Sequence, residues 1–255
     1  MALLAKSEFR DSESGLRKLK PVDENVVIAE FLRGEFYQGE FTGYRKRFNE
    51  LVNHPDFSNQ RENTLRRALL YRRRGRLWRE LPADTEWWEV ELTPTDVQRM
   101  RVFPRNQWLR YGVPDFLLSE TAERIRGRIL SNSNDAFIDK LRSLSLEMKQ
   151  DSVFSSVILI TIDEATPITI IEGNHRMTAA WLGAPEEVHG RFRYLCGFSP
   201  RMAECCWYQT DISTLWRYAK NTVSYYLKHR RQIAAEISAG VLEETGGTET
   251  AKPQA

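Results

Sequence analysis

The chain has 255 residues, 41% of them hydrophobic and 11% aromatic, enough for one large domain or a modest domain with extensions around a substantial core. Lysine and arginine number 37 against 35 aspartates and glutamates, so the net charge of +2 carries no signature of a dedicated nucleic-acid binder. The three cysteines, Cys196, Cys205 and Cys206, are odd in number and include an adjacent pair, which excludes a disulfide framework and points to a reducing cytoplasm.

The opening Met1-Ala2-Leu3-Leu4-Ala5-Lys6 is too short for a signal-peptide core. No apolar run approaches the roughly 20 residues that span a bilayer. The expectation is a soluble, cytoplasmic protein with no membrane partner. Residues up to Asp23 mix charge and serine without apolar period and read as a loose arm. A short helix is expected over Val26 to Arg33, turns around Phe36 to Phe41, and a helix from Tyr44 to Val52 that Pro55 stops. The next helix, Arg61 to Glu80, holds Arg66, Arg67, Arg72, Arg73 and Arg74, the densest positive run in the chain. Such a run is either a nucleic-acid surface or a solvated, salt-bridged helix face, and the near-zero net charge favours the second.

Trp87 to Leu92 has strand character, and Thr93-Pro94-Thr95-Asp96 leads into a short helix with Thr95 as its cap. Val102 to Trp108 reads as an extended loop. Ser119 can cap a helix carrying Ile125, Ile129 and Leu130, and a further helix covers Asp135 to Leu146. Val153 to Ile162 is the strongest strand signal, apolar enough to be covered on both faces, and it forms an antiparallel hairpin with the strand Ile168 to Ile171. A strand over Val188 to Cys196 and one long helix from Ile212 to Ile237 follow, the latter with Leu215, Tyr218, Thr222, Tyr225, Tyr226 and Ile233 along one side. From Gly240 onward the chain is polar and glycine-rich, a composition expected to be disordered.

Chemistry concentrates where the strand Ile168 to Ile171 gives way to a helix running from Asn174 to Gly183. A helix start exposes backbone N–H groups and a partial positive charge, and so attracts anions. Asn174 is a good N-cap type, Gly173 permits backbone approach, Arg176 offers a fork of donors for phosphate or carboxylate, and His175 can move a proton near neutral pH. Glu172 stands at the strand end as a candidate base or as a ligand to magnesium-bound water. Each residue taken singly is also explained as a cap or a locally bonded side chain; the four together favour an anion site with an acid/base beside it. Paired zinc-ligand spacings, a Walker loop, a dinucleotide glycine fingerprint and a nucleophile elbow are all missing from the sequence.

Strand, Glu172-Gly173-Asn174-His175-Arg176 and a helix with Ala179-Ala180 resemble the ParB/sulfiredoxin superfamily. The resemblance covers Val153 to Gly183 and extends more weakly back to Trp87 and forward to the strand near Val188. It implies an α+β fold: a small mixed sheet with helices in residues 84–200, preceded by an N-terminal helical extension (1–83) and followed by a C-terminal helix (201–238) and a tail (239–255). It also implies a nucleotide-phosphate site contacted by Gly173, Asn174, His175 and Arg176, with Glu172 and His175 as catalytic candidates and ATP or another nucleoside triphosphate with Mg2+ as cofactor. Sulfiredoxins carry their cysteine where this chain has Asn174, and ParB proteins usually have two consecutive arginines where Met177 here follows Arg176. The motif is most similar to serine-kinase-like and uncharacterised members, with Glu172 in place of the more usual Asp. The expected function is a phosphoryl-transfer or nucleotide-hydrolysing enzyme acting on an unknown small molecule. The alternative is a nucleotide- or nucleic-acid-binding regulator without turnover.

Overall fold

The computed structural model describes residues 15–112, 114–131, 135–148 and 156–246. Its strands are β1 (Arg17–Pro21), β2 (Glu86–Glu91), β3 (Met100–Arg101), β4 (Val157–Thr161), β5 (Ile168–Glu172) and β6 (Tyr194–Phe198). They form one mixed sheet in the order β1-β2-β6-β4-β5-β3. The helices are α1 (Glu24–Glu35), α2 (Arg45–Asn53), α3 (Gln60–Trp78), α4 (Pro94–Gln98), α5 (Leu109–Gly112), α6 (Leu118–Leu130), α7 (Ala136–Glu147), α8 (Asn174–Gly183), α9 (Val188–Arg191), α10 (Ile212–Ser224) and α11 (Arg230–Gly246). No helix among the described residues is long and apolar enough to cross a membrane.

All five residues of β4 are buried, and the strand runs parallel to β6 and antiparallel to β5, so it sits inside the sheet with both faces covered. Its side chains alternate accordingly. Val157 and Leu159 join a core with Ile168, Ile170 and Met177, under α6, α7 and α8. Ile158 and Ile160 join another with Val27, Phe31, Trp78 and Trp207, under α1 and the end of α3. A third cluster ties α1, α2 and α3 to the C-terminal helices through Phe36, Phe48, Leu69, Tyr225 and Ile233. The β4–β5 hairpin turns on Asp163, whose carboxylate accepts from the N–H groups of Ala165 and Thr166, both at 2.8 Å. The mixed α+β class and the hairpin thus follow the sequence reading, although Val153 to Ser155 lie outside the described residues.

Several elements differ from expectation, each for a physical reason. The expected loose arm contains β1, whose mostly exposed residues show no apolar alternation. It is fastened to β2 by cross-strand pairs, Arg17 with Glu91 and Lys20 with Glu89 at 3.4 Å, and to the hairpin turn by Lys18 with Glu164 at 2.7 Å. The earlier residues of the arm, 1–14, lie outside the described residues. Thr93, not Thr95, caps α4, in a reciprocal box with Asp96. At α6, Leu117 occupies the cap position without a side-chain bond, so Ser119 is inside the helix. Residues Val188 to Arg191 are helical, and the strand begins at Tyr194 and continues through Gly197, where a side chain would run into the Trp87 ring.

The expected single C-terminal helix widens into a π turn at Tyr225–His229, where the Tyr225 ring packs on Gly75 of α3. Tyr218 and Tyr225 face the body, whereas Leu215 and Tyr226 face outward with Ile212, Trp216 and Leu227. Helix α11 continues to Gly246, past the point where disorder was expected; residues 247–255 lie outside the described residues.

The arginine run of α3 is not one surface, because helical spacing distributes it around the axis. Arg66 is fully buried and donates to Leu51 O at 3.2 Å, Asp56 O at 2.7 Å, Asn63 Oδ1 at 2.6 Å and Glu62 Oε2 at 2.9 Å. Arg67 pairs with Glu24 at 2.9 Å, and Arg74 pairs with the buried Glu35. Arg72 lies exposed over the Tyr44 ring, 5.1 Å from its centroid, and the Arg73 side chain is outside the described set. Arg66 therefore departs from both readings of the run, the nucleic-acid surface and the favoured solvated face: it is buried and holds α3 to the segment after α2. Replacing Arg66 with leucine should lower the unfolding free energy by about 3–5 kcal/mol, since four acceptors lose a buried charge. Arg72→Leu should cost under about 1 kcal/mol. Urea titration of both variants checks this, and an Arg66 variant as stable as the wild type would contradict it.

Candidate functional site

Strand β5 ends at Glu172, and the chain turns into α8 through Gly173, whose φ is 99°. That left-handed conformation is open to glycine at little cost. A Cβ at this position would also stand 3.0 Å from the Val157 side chain and 3.3 Å from a terminal nitrogen of Arg176. The same geometry shows where the Arg176 guanidinium lies: it is folded back over the start of its own helix. The first backbone bond at this end runs from Met177 N to Gly173 O at 2.9 Å, so the N–H groups of Asn174 and His175 precede the ladder.

Gly173, not Asn174, is the N-cap. The Asn174 amide instead spans two elements, accepting from Phe103 N at 2.7 Å and donating to Ile170 O at 3.2 Å. It pins the chain after β3 against the end of β5. The sequence reading missed this role because both partners are nonlocal or main-chain.

The remaining three side chains face different elements. Glu172 points to α1, where a Cβ on Gly34 would stand 2.7 Å from its Oε1. It accepts from Arg176 at 3.1 Å, and Arg176 also donates to Ser156 O at 3.2 Å. Ser156 N in turn donates to Glu30 of α1 at 2.9 Å. Burial raises the Glu172 carboxyl above its ordinary range; Arg176 opposes the shift and the nearby Glu35 adds to it. Glu172 and Arg176 are therefore one ion pair at the mouth of the helix.

His175 lies on another side, with ring centroids 5.2 Å from Trp108 and 5.5 Å from Phe137. Burial, then Lys140 and Arg176, lower its pKa to about 4, so the imidazole is neutral at pH 7. It can accept or relay a proton, but it adds no positive charge for phosphate. Trp108, Phe137 and Lys140 could not be assigned to it from local sequence, since they come from a 3-10 turn and a helix far away in the chain.

Among the described residues no group of three His, Cys, Asp or Glu side chains is placed to hold a metal ion. Glu172 is the carboxylate of the corner, and it is ion-paired with Arg176 at 3.1 Å. The cysteines do not join the site. All three are buried, and burial pushes the thiols of Cys205 and Cys206 up to about 12.

The titration of His175 has a consequence for stability. Its folded pKa lies below the ordinary 6.5, so the unfolded chain takes up the proton first, and stability is lost as pH falls from 6.5 to about 4. Glu172, with its raised pKa, works in the opposite sense, so the comparison must be made against a His175 variant. The wild type should lose about 1–2 kcal/mol more than His175→Gln across this window, allowing for partial exposure of the ring. Parallel denaturation curves from pH 7 to 4 test this, and an unchanged difference between the two proteins would contradict it.

Compared with protein-family models, with curated proteins and with solved structures, the chain matches none.

Proposed function

We propose that this chain binds a nucleoside triphosphate at the β5–α8 corner and transfers or hydrolyses its terminal phosphate, with a small molecule as acceptor in the transfer case. The observation that carries the reading is the turn at Gly173, which brings the Arg176 guanidinium close to the start of α8, where the first N–H groups precede the helical ladder. Backbone N–H groups, the helix dipole and a forked cation then converge on one anion position. Stabilising charge on the transferring group is the dominant requirement of phosphoryl transfer, so this convergence is the part of the reaction the corner is best suited to supply.

Without ligand, Arg176 is neutralised by Glu172, so an incoming phosphate competes with that carboxylate. Release of Glu172 from the pair would leave a carboxyl with a raised pKa beside the bound phosphate, suited to accept a proton. Magnesium arriving with the nucleotide would supply further charge neutralisation. One observation favours a second reading, nucleotide binding without turnover: Glu172 and His175, the two acid/base candidates, face different elements.

The test is a thermal-shift panel of nucleoside triphosphates with and without Mg2+, followed by product chromatography. A nucleotide held at 100 times its dissociation constant should stabilise the wild type by about 2.7 kcal/mol. Arg176→Ala should lose that shift, with circular dichroism confirming its fold. Glu172→Gln should keep or strengthen binding, because the competing charge is gone, and should lose turnover. Stabilisation without product selects the regulator reading; no stabilisation by any nucleotide contradicts both.

A further inference from the structure

The strand pair β3–β5 builds a second feature that the corner does not use. Arg101 lies opposite Thr169 in the parallel register, and both line a cleft of about 230 Å³. That is on the order of eight water volumes, room for a small molecule. Thr169 is 1% exposed, yet its hydroxyl has no hydrogen-bond partner among the described residues. The Arg101 guanidinium likewise makes no hydrogen bond or ion pair among the described residues, and its Nε is buried. Native structures rarely leave a buried hydroxyl and an arginine unsatisfied side by side, because each forfeits the hydrogen bonds it had in water.

The walls are built at a cost as well. Phe116 holds φ 59°, a left-handed conformation unfavourable for a side chain of this size. Its carbonyl accepts from Val102 N at 2.8 Å, and its ring lies against Gly112, where any Cβ would collide with it. Strain of this kind persists where the surroundings enforce it, and it clusters at ligand sites. Pro104, Pro114 and Phe116 give the cleft an apolar side, and Tyr208 contributes a phenol. Asp115 is exposed and makes no ion pair with Arg101, so no carboxylate of the cleft is bonded to the guanidinium.

We propose that this cleft binds a small organic anion, with its carboxylate or phosphate on Arg101 and Thr169 and a short carbon body against the prolines and Phe116. Arginine supplies two parallel donors to either oxyanion, and the Thr169 hydroxyl supplies a third. The cleft adjoins the corner, since Phe103, between the lining residues Val102 and Pro104, is the residue bonded to Asn174. The site stands whether or not the corner binds a nucleotide.

The experiment is a calorimetric titration of the full chain at constant ionic strength with two probes, lactate and glycerol 3-phosphate, in the absence of nucleotide. Saturable binding of at least one probe by the wild type is expected, and the stronger arm tells carboxylate from phosphate. Arg101→Met should weaken that binding tenfold or more. Thr169→Val should weaken it severalfold while leaving the unliganded melting temperature unchanged or raised, because the isosteric methyl removes an unsatisfied hydroxyl. If Arg101→Met fails to fold, Thr169→Val alone decides. Wild type that binds neither probe, or a folded variant that binds as tightly as wild type, overturns the proposal. Loss of the nucleotide shift with anion binding intact would count against the corner and not against the cleft.

Discussion

The left-handed turn at Gly173 is the constraint on which the rest of this structure depends. It joins a strand buried in the sheet to a helix packed on one of its faces without an intervening loop. With any other residue the turn would be strained, and the added Cβ would push on Val157 of the central strand. Because the junction is so short, the helix N-terminus stays at the sheet edge of the core, and Arg176, one turn in, reaches back over it. The fold and the geometry of the corner have the same cause.

The N-terminal helices complete that corner. Helix α1 lays Gly34 against the Glu172 carboxylate and presents Glu30 to the backbone of Ser156, to which Arg176 also donates. Arg74 of α3 pairs with Glu35 of α1, so the arginine helix contributes to the same charged layer from behind. Positive and negative groups alternate through this layer, and a ligand phosphate entering it would exchange places with a carboxylate. Under the proposed reading, that exchange would let binding and the protonation state of Glu172 influence each other.

Much of this was legible in the sequence where the signal was local. The β-branched run of β5, the glycine and the alanine-bearing helix announced the corner, and Asp23, Asn59 and Asp135 are helix caps of the expected residue types. The Thr93-x-x-Asp96 box was a local cue as well, but the cap was placed at Thr95 and the box was missed. Most of what else escaped was nonlocal. An edge strand held by ion pairs has no apolar period; Arg66 looks like any surface arginine until α2 closes over it; Asn174 satisfies cap preferences but serves a loop 71 residues away. Arg101 and Thr169 meet through a two-residue parallel pairing that no spacing rule reveals.

The central claim is that the N–H groups at the start of α8 and the Arg176 fork form one phosphate cradle. Backbone amide NMR during titration with a non-hydrolysable nucleoside triphosphate analogue tests it most directly. The account predicts that the amide resonances of Asn174, His175 and Arg176 shift together and saturate at one dissociation constant, with the Arg176 side-chain signal following them and the amides of α3 unmoved. Saturable shifts confined to other parts of the chain, with these three amides unchanged, would contradict it.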